Sequence, residues 1–271
     1  MHYVNTFLAQ PMKPFALPDP WGIYSVWRRH AEVYRKTWLV NCLLPVTEPL
    51  VYLLAFGFGL TPLVGGLAYL GQPTSYLQFI APGMIAVAIL FQAFFEGAYG
   101  SFIRLNYQRT WHALLTAPLS YTQVFLGDWF WAATRGLISG LVTGLVTVVT
   151  GLYPLQGLLG SLPILVLGSL VFAAMGLLTA GLVVTVDQVN VPIFTLVVPM
   201  FVLCGTYFPR NNLPVALNWV ASFLPLSSLV DLVRWPLGLP NLWLLELTWL
   251  ILLVIGVGAL AHWQLARRLF S

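Results

Sequence analysis

Residues 49–95 and residues 136–186 contain no charged side chain at all. Each stretch holds apolar runs of about 20 residues, the length that crosses a hydrocarbon core of about 30 Å as an α-helix. A water-soluble fold has no interior large enough to hide them. With 7% charged and 59% hydrophobic residues, against about 25% charged in an ordinary soluble domain, the chain reads as an all-α, multi-spanning membrane protein. A β-barrel would show short alternating segments, whereas these runs are continuous.

The runs predict six transmembrane helices, at about residues 38–60, 76–100, 124–150, 158–184, 191–208 and 242–265, with a loop over 61–75. The opening residues MHYVNTFLAQPMKPF do not have the pattern of a cleavable leader, so insertion is expected to begin at the first span. Two parts follow: an N-terminal segment, 1–37, and a membrane domain, 38–271. Within the first, Asp19-Pro20 suits a helix start. Ile23, Val26, Trp27, Ala31, Tyr34 and Trp38 then share one helical face, with Arg28, Arg29, Glu32, Arg35 and Lys36 on the other. A basic face opposite an aromatic one is the pattern of a helix lying in the membrane interface.

The segment 205–240 is interrupted by Pro209, Pro214, Pro225, Pro236 and Pro240, too often for one span, yet it is too apolar for a free loop. Short re-entrant helices shielded by protein reconcile the two. Lys and Arg placement sets orientation. With the N-terminus inside, Lys13, Arg28, Arg29, Arg35, Lys36, Arg104, Arg109, Arg267 and Arg268 collect on the inner side, against Arg210 and Arg234 outside. Both termini are thus expected in the cytoplasm, and the net charge of +4 is explained by anionic lipid without nucleic acid.

Between the second and third spans lies a polar island, residues 96–128. Its residues 102–116 predict a helix stopped before Pro118, carrying Arg104, Tyr107, Gln108, Arg109, Trp111, His112, Leu114 and Leu115. Exposed Trp and Leu on such a helix suit a groove on another protein. The ionisable residues expected inside the membrane are Glu48, Glu96, Asp128 and Arg135, which such an environment tolerates only against a cavity or a partner. Asp128 and Arg135 lie nearly two turns apart on one face. Glu48 and Arg135 sit at matching depths, which predicts a pair. Gly136, Gly140 and Gly144 allow close helix approach, within the chain or between copies, and Pro45 and Pro49 predict a kink.

The motifs exclude several chemistries. No G-x-x-x-x-G-K-[ST] and no H-E-x-x-H occurs. His2, His30, His112 and His262 are scattered, and Cys42 and Cys204 lie in separate apolar runs, so no metal site, disulfide or catalytic residue is expected.

At FIAPGMIAVAILFQAFFEGAYGSFIRLNYQRTWHALLTAPLSYTQVFLGDWFWAATRG, and later CGTYFPRNNLP, the sequence resembles the NodJ-like branch of the ABC-2 type exporter permeases. The likeness extends from about residue 21 to 271 and is densest over 79–135. It implies a six-span permease that binds two copies of a separate ABC ATPase and pairs with a second permease, with ATP and magnesium on the ATPase and no cofactor in this chain. It further implies a coupling helix at 104–117 and an interfacial helix at 20–36. Outer re-entrant elements are implied at 205–240, and the bacterial inner membrane as location. The cargo implied is an amphipathic molecule: a lipo-oligosaccharide, glycolipid or hydrophobic drug. Two rivals stand beside it. An ion-coupled transporter would need a midplane acid, for which Glu48 and Asp128 are the candidates. A membrane transferase would need a catalytic acid or His cluster, and none is visible.

Overall fold

The computed structural model describes residues 19–39, 43, 47, 51–52, 54–64, 67–239 and 242–270. The first helix, α1 (Pro20–Lys36), begins where Asp19 accepts a hydrogen bond from the Trp21 amide at 3.2 Å and Pro20 supplies a fixed φ at the first turn. Gly22, Val26 and His30, four residues apart, are its buried stripe, and Arg28, Arg29, Arg35 and Lys36 are exposed.

Among the described residues, four helices are long and apolar enough to cross a membrane: α2 (Tyr76–Asn106), α4 (Tyr121–Val149), α5 (Leu155–Leu182) and α9 (Trp243–Phe270). The two that flank the polar island start alike. Ser75 and Gln78, and then Ser120 and Gln123, form reciprocal capping boxes that satisfy the first free amides. In α2, 78% of its most apolar window is buried, against 17% in α9. So α2 is the central post, packed by α4 and α5, and α9 is the outer helix, packed on α5.

Small residues set the crossings. A Cβ on Gly97 would fall 2.7 Å from the Ala173 carbonyl oxygen, and one on Gly176 2.4 Å from that of Phe94. Backbones of α2 and α5 therefore touch at that level. The glycines of α4 are spent inside the chain: Gly136 lies on Ala93, Gly140 on Ile89 and Gly144 on Leu158.

Several sequence expectations are corrected. The second span runs on to Asn106 through a π-helical turn, Glu96–Gly100. The fifth is a short helix, α6 (Asp187–Leu203), that passes from a 3-10 turn through a π turn at Ile193–Val197. The loop at 61–75 contains a β-hairpin, β1 (Leu67–Tyr69) against β2 (Gln72–Thr74), with Leu70 and Gly71 at positive φ in its turn. The segment after α6 is broken at its prolines as expected, into α7 (Val215–Phe223) and α8 (Pro225–Val233), bent by 85° at Leu224 where Pro225 restarts the helix. The expected first span, 38–60, lies partly outside the described residues, with Glu48, Pro45, Pro49 and Cys42 among those left out. Its described residues Trp38, Leu39, Leu43, Thr47, Val51, Tyr52 and Leu54 are helical and lead into a π turn, Ala55–Leu60, followed by a helical turn, Thr61–Val64. Cys204 is buried and has no disulfide partner among the described residues.

Candidate functional site

The island that joins α2 to α4 does not fold as one helix. Its first part continues α2 to Asn106. Tyr107, Gln108 and Arg109 then form a turn, with Arg109 at φ 49°, before α3 (Thr110–Thr116) starts. A left-handed non-glycine residue re-aims the chain, and Ala117-Pro118 ends the helix in extended conformation.

This break sorts the eight residues expected to meet a partner into two groups. Tyr107, Gln108, Arg109 and His112 are exposed, with Tyr107 67% so. Leu114 and Leu115 are half-buried, packed on a small core of Val26, Leu105 and Val124. Two are turned inward. Trp111 is only 1% exposed, and its indole N–H donates to Asp128 Oδ2 at 3.2 Å. The Arg104 guanidinium lies inside the bundle, with Nε 2.9 Å from Asp128 Oδ1 and Nη1 2.7 Å from Glu96 Oε1. The expectation of an exposed Trp on a partner-facing helix is therefore corrected: a fully buried carboxylate needs donors, and Trp111 is one of them.

Asp128, fully buried, is the centre of this arrangement. Besides Arg104 and Trp111 it meets His30 Nε2 at 3.1 Å, so its two oxygens hold α1, α2 and α3 to α4. Glu96 forms a second centre one layer away. It accepts from Arg104 and from the Trp131 indole at 3.0 Å, and Arg135 Nε lies 3.9 Å from its other oxygen. Arg135 also donates to Gln92 Oε1 at 3.3 Å and covers the Tyr34 ring of α1 at 4.6 Å. Ser101 Oγ takes the remaining Arg104 Nη2 at 3.1 Å.

Asp128 and Arg135 thus do share a face, as spacing predicts, but they are bridged through Arg104 and Glu96. The expected Glu48–Arg135 pair falls outside the described residues. Sequence reading missed His30, Trp131, Ser101 and Gln92. The available signal was positional: Asp128, Trp131 and Arg135 recur at i, i+3 and i+7, and Val26, His30 and Tyr34 at i, i+4 and i+8, each a single helical stripe.

The interfacial set divides similarly. Trp27 points back to α4, donating to Thr134 Oγ1 at 3.0 Å, while Arg28 is exposed and pairs with Glu32 at 2.8 Å. Trp21, Val33 and Trp38, at 56–67% exposure, add a bare apolar flank to that basic face. The end of α9 closes the same end of the bundle. Arg268 donates to the carbonyls of Ala180 and Val183 at the end of α5 and, at 3.0 Å, to Asn106 Oδ1.

A second polar group lies toward the other end of α2, at Phe79, about 25 Å along the helix from Glu96 and about 38 Å from Arg104. There the buried Arg234 donates to the carbonyls of Phe79, Gly205 and Thr206 at 2.8–3.3 Å and stacks on the Phe79 ring at 3.8 Å. Arg210 pairs with Asp231, and Glu246 stands 3.9 Å from Arg210. Burial, then the charge of Asp231, pushes the nearby Tyr69 phenol above its usual pKa.

Between the two ends runs a column of rings. Tyr207, Phe56, Tyr52, Phe201, Phe91, Phe95 and Tyr99 follow one another with centroids 4.9–6.3 Å apart. At its lower end the Tyr99 hydroxyl donates to Asn190 Oδ1 at 2.7 Å. The three helices that supply the column each contain a π turn, at Ala55–Leu60, Glu96–Gly100 and Ile193–Val197, a distortion that concentrates at functional sites.

The sequence is similar to those of known proteins. The family profile described as ABC-2 type transporter matches residues 22–237. The chain is 35% identical over 210 residues to nodulation protein J of Rhizobium leguminosarum bv. viciae, covering 78% of this chain and 80% of that one. Nodulation protein J of Rhizobium meliloti strain 1021 is 33% identical over 220 residues, 81% and 82% of the two chains. The inner membrane transport permease YadH of Escherichia coli K12 is 24% identical over 249 residues, 91% and 95% of the two. The chain belongs to the ABC-2 type transporter family, in its nodulation-protein-J-like branch, as a multi-pass membrane subunit of an ABC transporter.

Proposed function

We propose that this chain is the passive, non-catalytic permease of an ATP-driven exporter. It carries an amphipathic substrate, such as a lipo-oligosaccharide, glycolipid or hydrophobic drug, outward from the inner leaflet of a bacterial inner membrane. Two copies pair with two ABC ATPase subunits, which hold ATP and magnesium. Each permease copy has six spans, both termini in the cytoplasm, α1 in the membrane interface, and α7–α8 as a re-entrant element on the outer side. Residues 38–271 are the permease domain and 1–37 its cytoplasmic lead-in.

One observation carries the reading: the turn and helix 107–116 present an exposed edge outward and, through Trp111 and Asp128, are bonded inward to three other helices. A push on Tyr107, Arg109 and His112 moves Trp111, and Trp111 is tied to the buried carboxylate that fixes α1, α2 and α4 together. Such an element transmits displacement rather than absorbing it. ATP binding closes the ATPase dimer, shifts α3 and turns the spans against each other. The aromatic column is the wall along which the apolar part of the cargo moves, since rings offer contact without fixed hydrogen bonds.

The test is capture of the partner. Arg109→Glu with His112→Glu, both on the exposed edge, is expected to abolish co-purification of an ATP-hydrolysing subunit while leaving membrane insertion and detergent-extracted folding intact. Undiminished capture would overturn docking at this edge.

A further inference from the structure

The last turns of α9 grip the polar island on both sides of α3. At its exit, the Tyr121 hydroxyl donates to the His262 carbonyl at 2.6 Å, and the Tyr121 ring lies 6.3 Å from that of Trp111 and 5.7 Å from that of Phe270. At its entry, Arg268 donates to Asn106, the last residue of α2, one position before the turn of Tyr107, Gln108 and Arg109. Arg268 is itself held by α5. That helix ends at Leu182, and the Val184 amide, which would have bonded the Ala180 carbonyl, donates to Gln188 Oε1 at 2.7 Å instead. The carbonyls of Ala180 and Val183 accept from Arg268 Nη1, as suits a cation at a helix C-terminus.

These bonds differ in kind. The two to α5 go to backbone and are half-buried, whereas the one to Asn106 Oδ1, at 3.0 Å, joins two side chains in the open. The Asn106 amide has one orientation that serves both neighbours: Nδ2 donates to the Phe102 carbonyl at 2.9 Å, and Oδ1 faces Arg268. Turned over, it would set donor against donor. The remaining contact of Arg268 with α2 is loose, its guanidinium carbon lying 5.4 Å from the centre of the Phe102 ring. A displacement of the turn therefore meets a cation fixed to α5 and one exposed hydrogen bond that must break. Arg267, one residue earlier, is exposed and lies over the Trp263 ring.

We infer that Arg268 is a positioning residue for the coupling of ATP hydrolysis to transport. Anchored on α5, it catches Asn106 and holds the docking turn in the position seen here. Moving the turn breaks that one bond and leaves those to α5 intact. The inference rests on docking at residues 107–116 and names what resists the push there: Asp128 carries the displacement inward, and Arg268 sets the load at which it starts.

The test is amide hydrogen exchange of the whole chain in nanodiscs, without ATPase. It is read at Gln108, whose amide donates to the Ile103 carbonyl at 2.9 Å, and corrected for neighbouring side chains. Asn106→Ala removes the acceptor and is expected to speed exchange about fivefold, the loss of one exposed hydrogen bond. Asn106→Asp keeps the acceptor, adds charge, and is expected to slow exchange. Were Asn106 only a cap on its own helix, both variants would speed it, because both lose the donor to Phe102 and an acid is unfavourable at a helix C-terminus. Combined with Arg268→Gln, Asn106→Asp is expected to lose its slowing; combined with Arg267→Gln, to keep it. Faster exchange in Asn106→Asp, or slowing that survives Arg268→Gln, would overturn the inference, and the two Asn106 variants decide it even where Arg268→Gln fails to fold. In the reconstituted complex, ATP hydrolysis without cargo is expected to rise in Asn106→Ala and fall in Asn106→Asp; equal rates would overturn the part of Arg268 in the cycle. Because the exchange test needs no ATPase, its failure and a failure of docking are told apart.

Discussion

The two ends of α2 each bury an arginine, and they use it in opposite ways. Arg234 spends its guanidinium chiefly on backbone carbonyls of three residues and on the face of Phe79, with Asp231 a more distant side-chain partner at 3.9 Å. It ties the start of α2 to the segment after α6, and its partners cannot be exchanged without refolding the chain. Arg104 spends its guanidinium on the side chains of Glu96, Asp128 and Ser101, which themselves hold Trp131, His30 and Trp111. Side-chain bonds of this kind have alternative arrangements, and backbone anchors do not. The Arg234 end is built to stay, and the Arg104 end is built to shift as a unit.

The comparison breaks if the two arginine sites respond alike. The largest effect is expected at the fixed end. Arg234→Met leaves the carbonyls of Phe79, Gly205 and Thr206 without their donor. At about 1–3 kcal/mol per unsatisfied buried group, the loss of several kcal/mol is expected to appear as aggregated or degraded protein and a collapsed thermal midpoint. A folded, thermally unchanged Arg234→Met would remove the distinction. At the other end, Trp111→Phe keeps an aromatic ring, though a smaller one, and deletes one donor to a buried carboxylate. That costs about 1.5–3 kcal/mol locally, with insertion and midpoint nearly preserved. Because Trp111 links the exposed edge to Asp128, the expected sharper loss is in transport per ATP hydrolysed, measured in vesicles with the ATPase bound. Equal falls in hydrolysis and transport would instead mark Trp111 as part of the docking surface.

How much of this was legible in the sequence depends on whether one helix or several carry the signal. The start of α1 at Asp19-Pro20, its buried and basic faces, and the broken character of 205–240 follow from local rules of capping, periodicity and proline, and the structure has them. The charged residues were each visible, but their partners were not. Glu96 meets Trp131 thirty-five residues on, and His30 reaches Asp128 across 98 positions. No pattern within one helix encodes such meetings. Arg104 and Trp111 read as surface residues because a mixed stripe between two spans has no obvious interior. Their interior is made by α1, which only the fold brings alongside α4. The break at Arg109 was hidden for another reason: the left-handed conformation is ordinarily signalled by glycine or asparagine, and here an arginine takes it. The π turn at Glu96–Gly100 likewise answers to the close approach of Gly97 and Gly176 across two helices.

The central claim is that Asp128 couples the exposed edge to the spans. The direct measurement is transport and ATP hydrolysis in the same reconstituted complex carrying Asp128→Asn, a substitution that keeps the shape and removes the charge that holds Arg104. The account predicts that the complex assembles and hydrolyses ATP, while cargo moved per ATP falls at least about tenfold, the loss of one charge-assisted contact. Transport per ATP equal to that of the unsubstituted complex would contradict it.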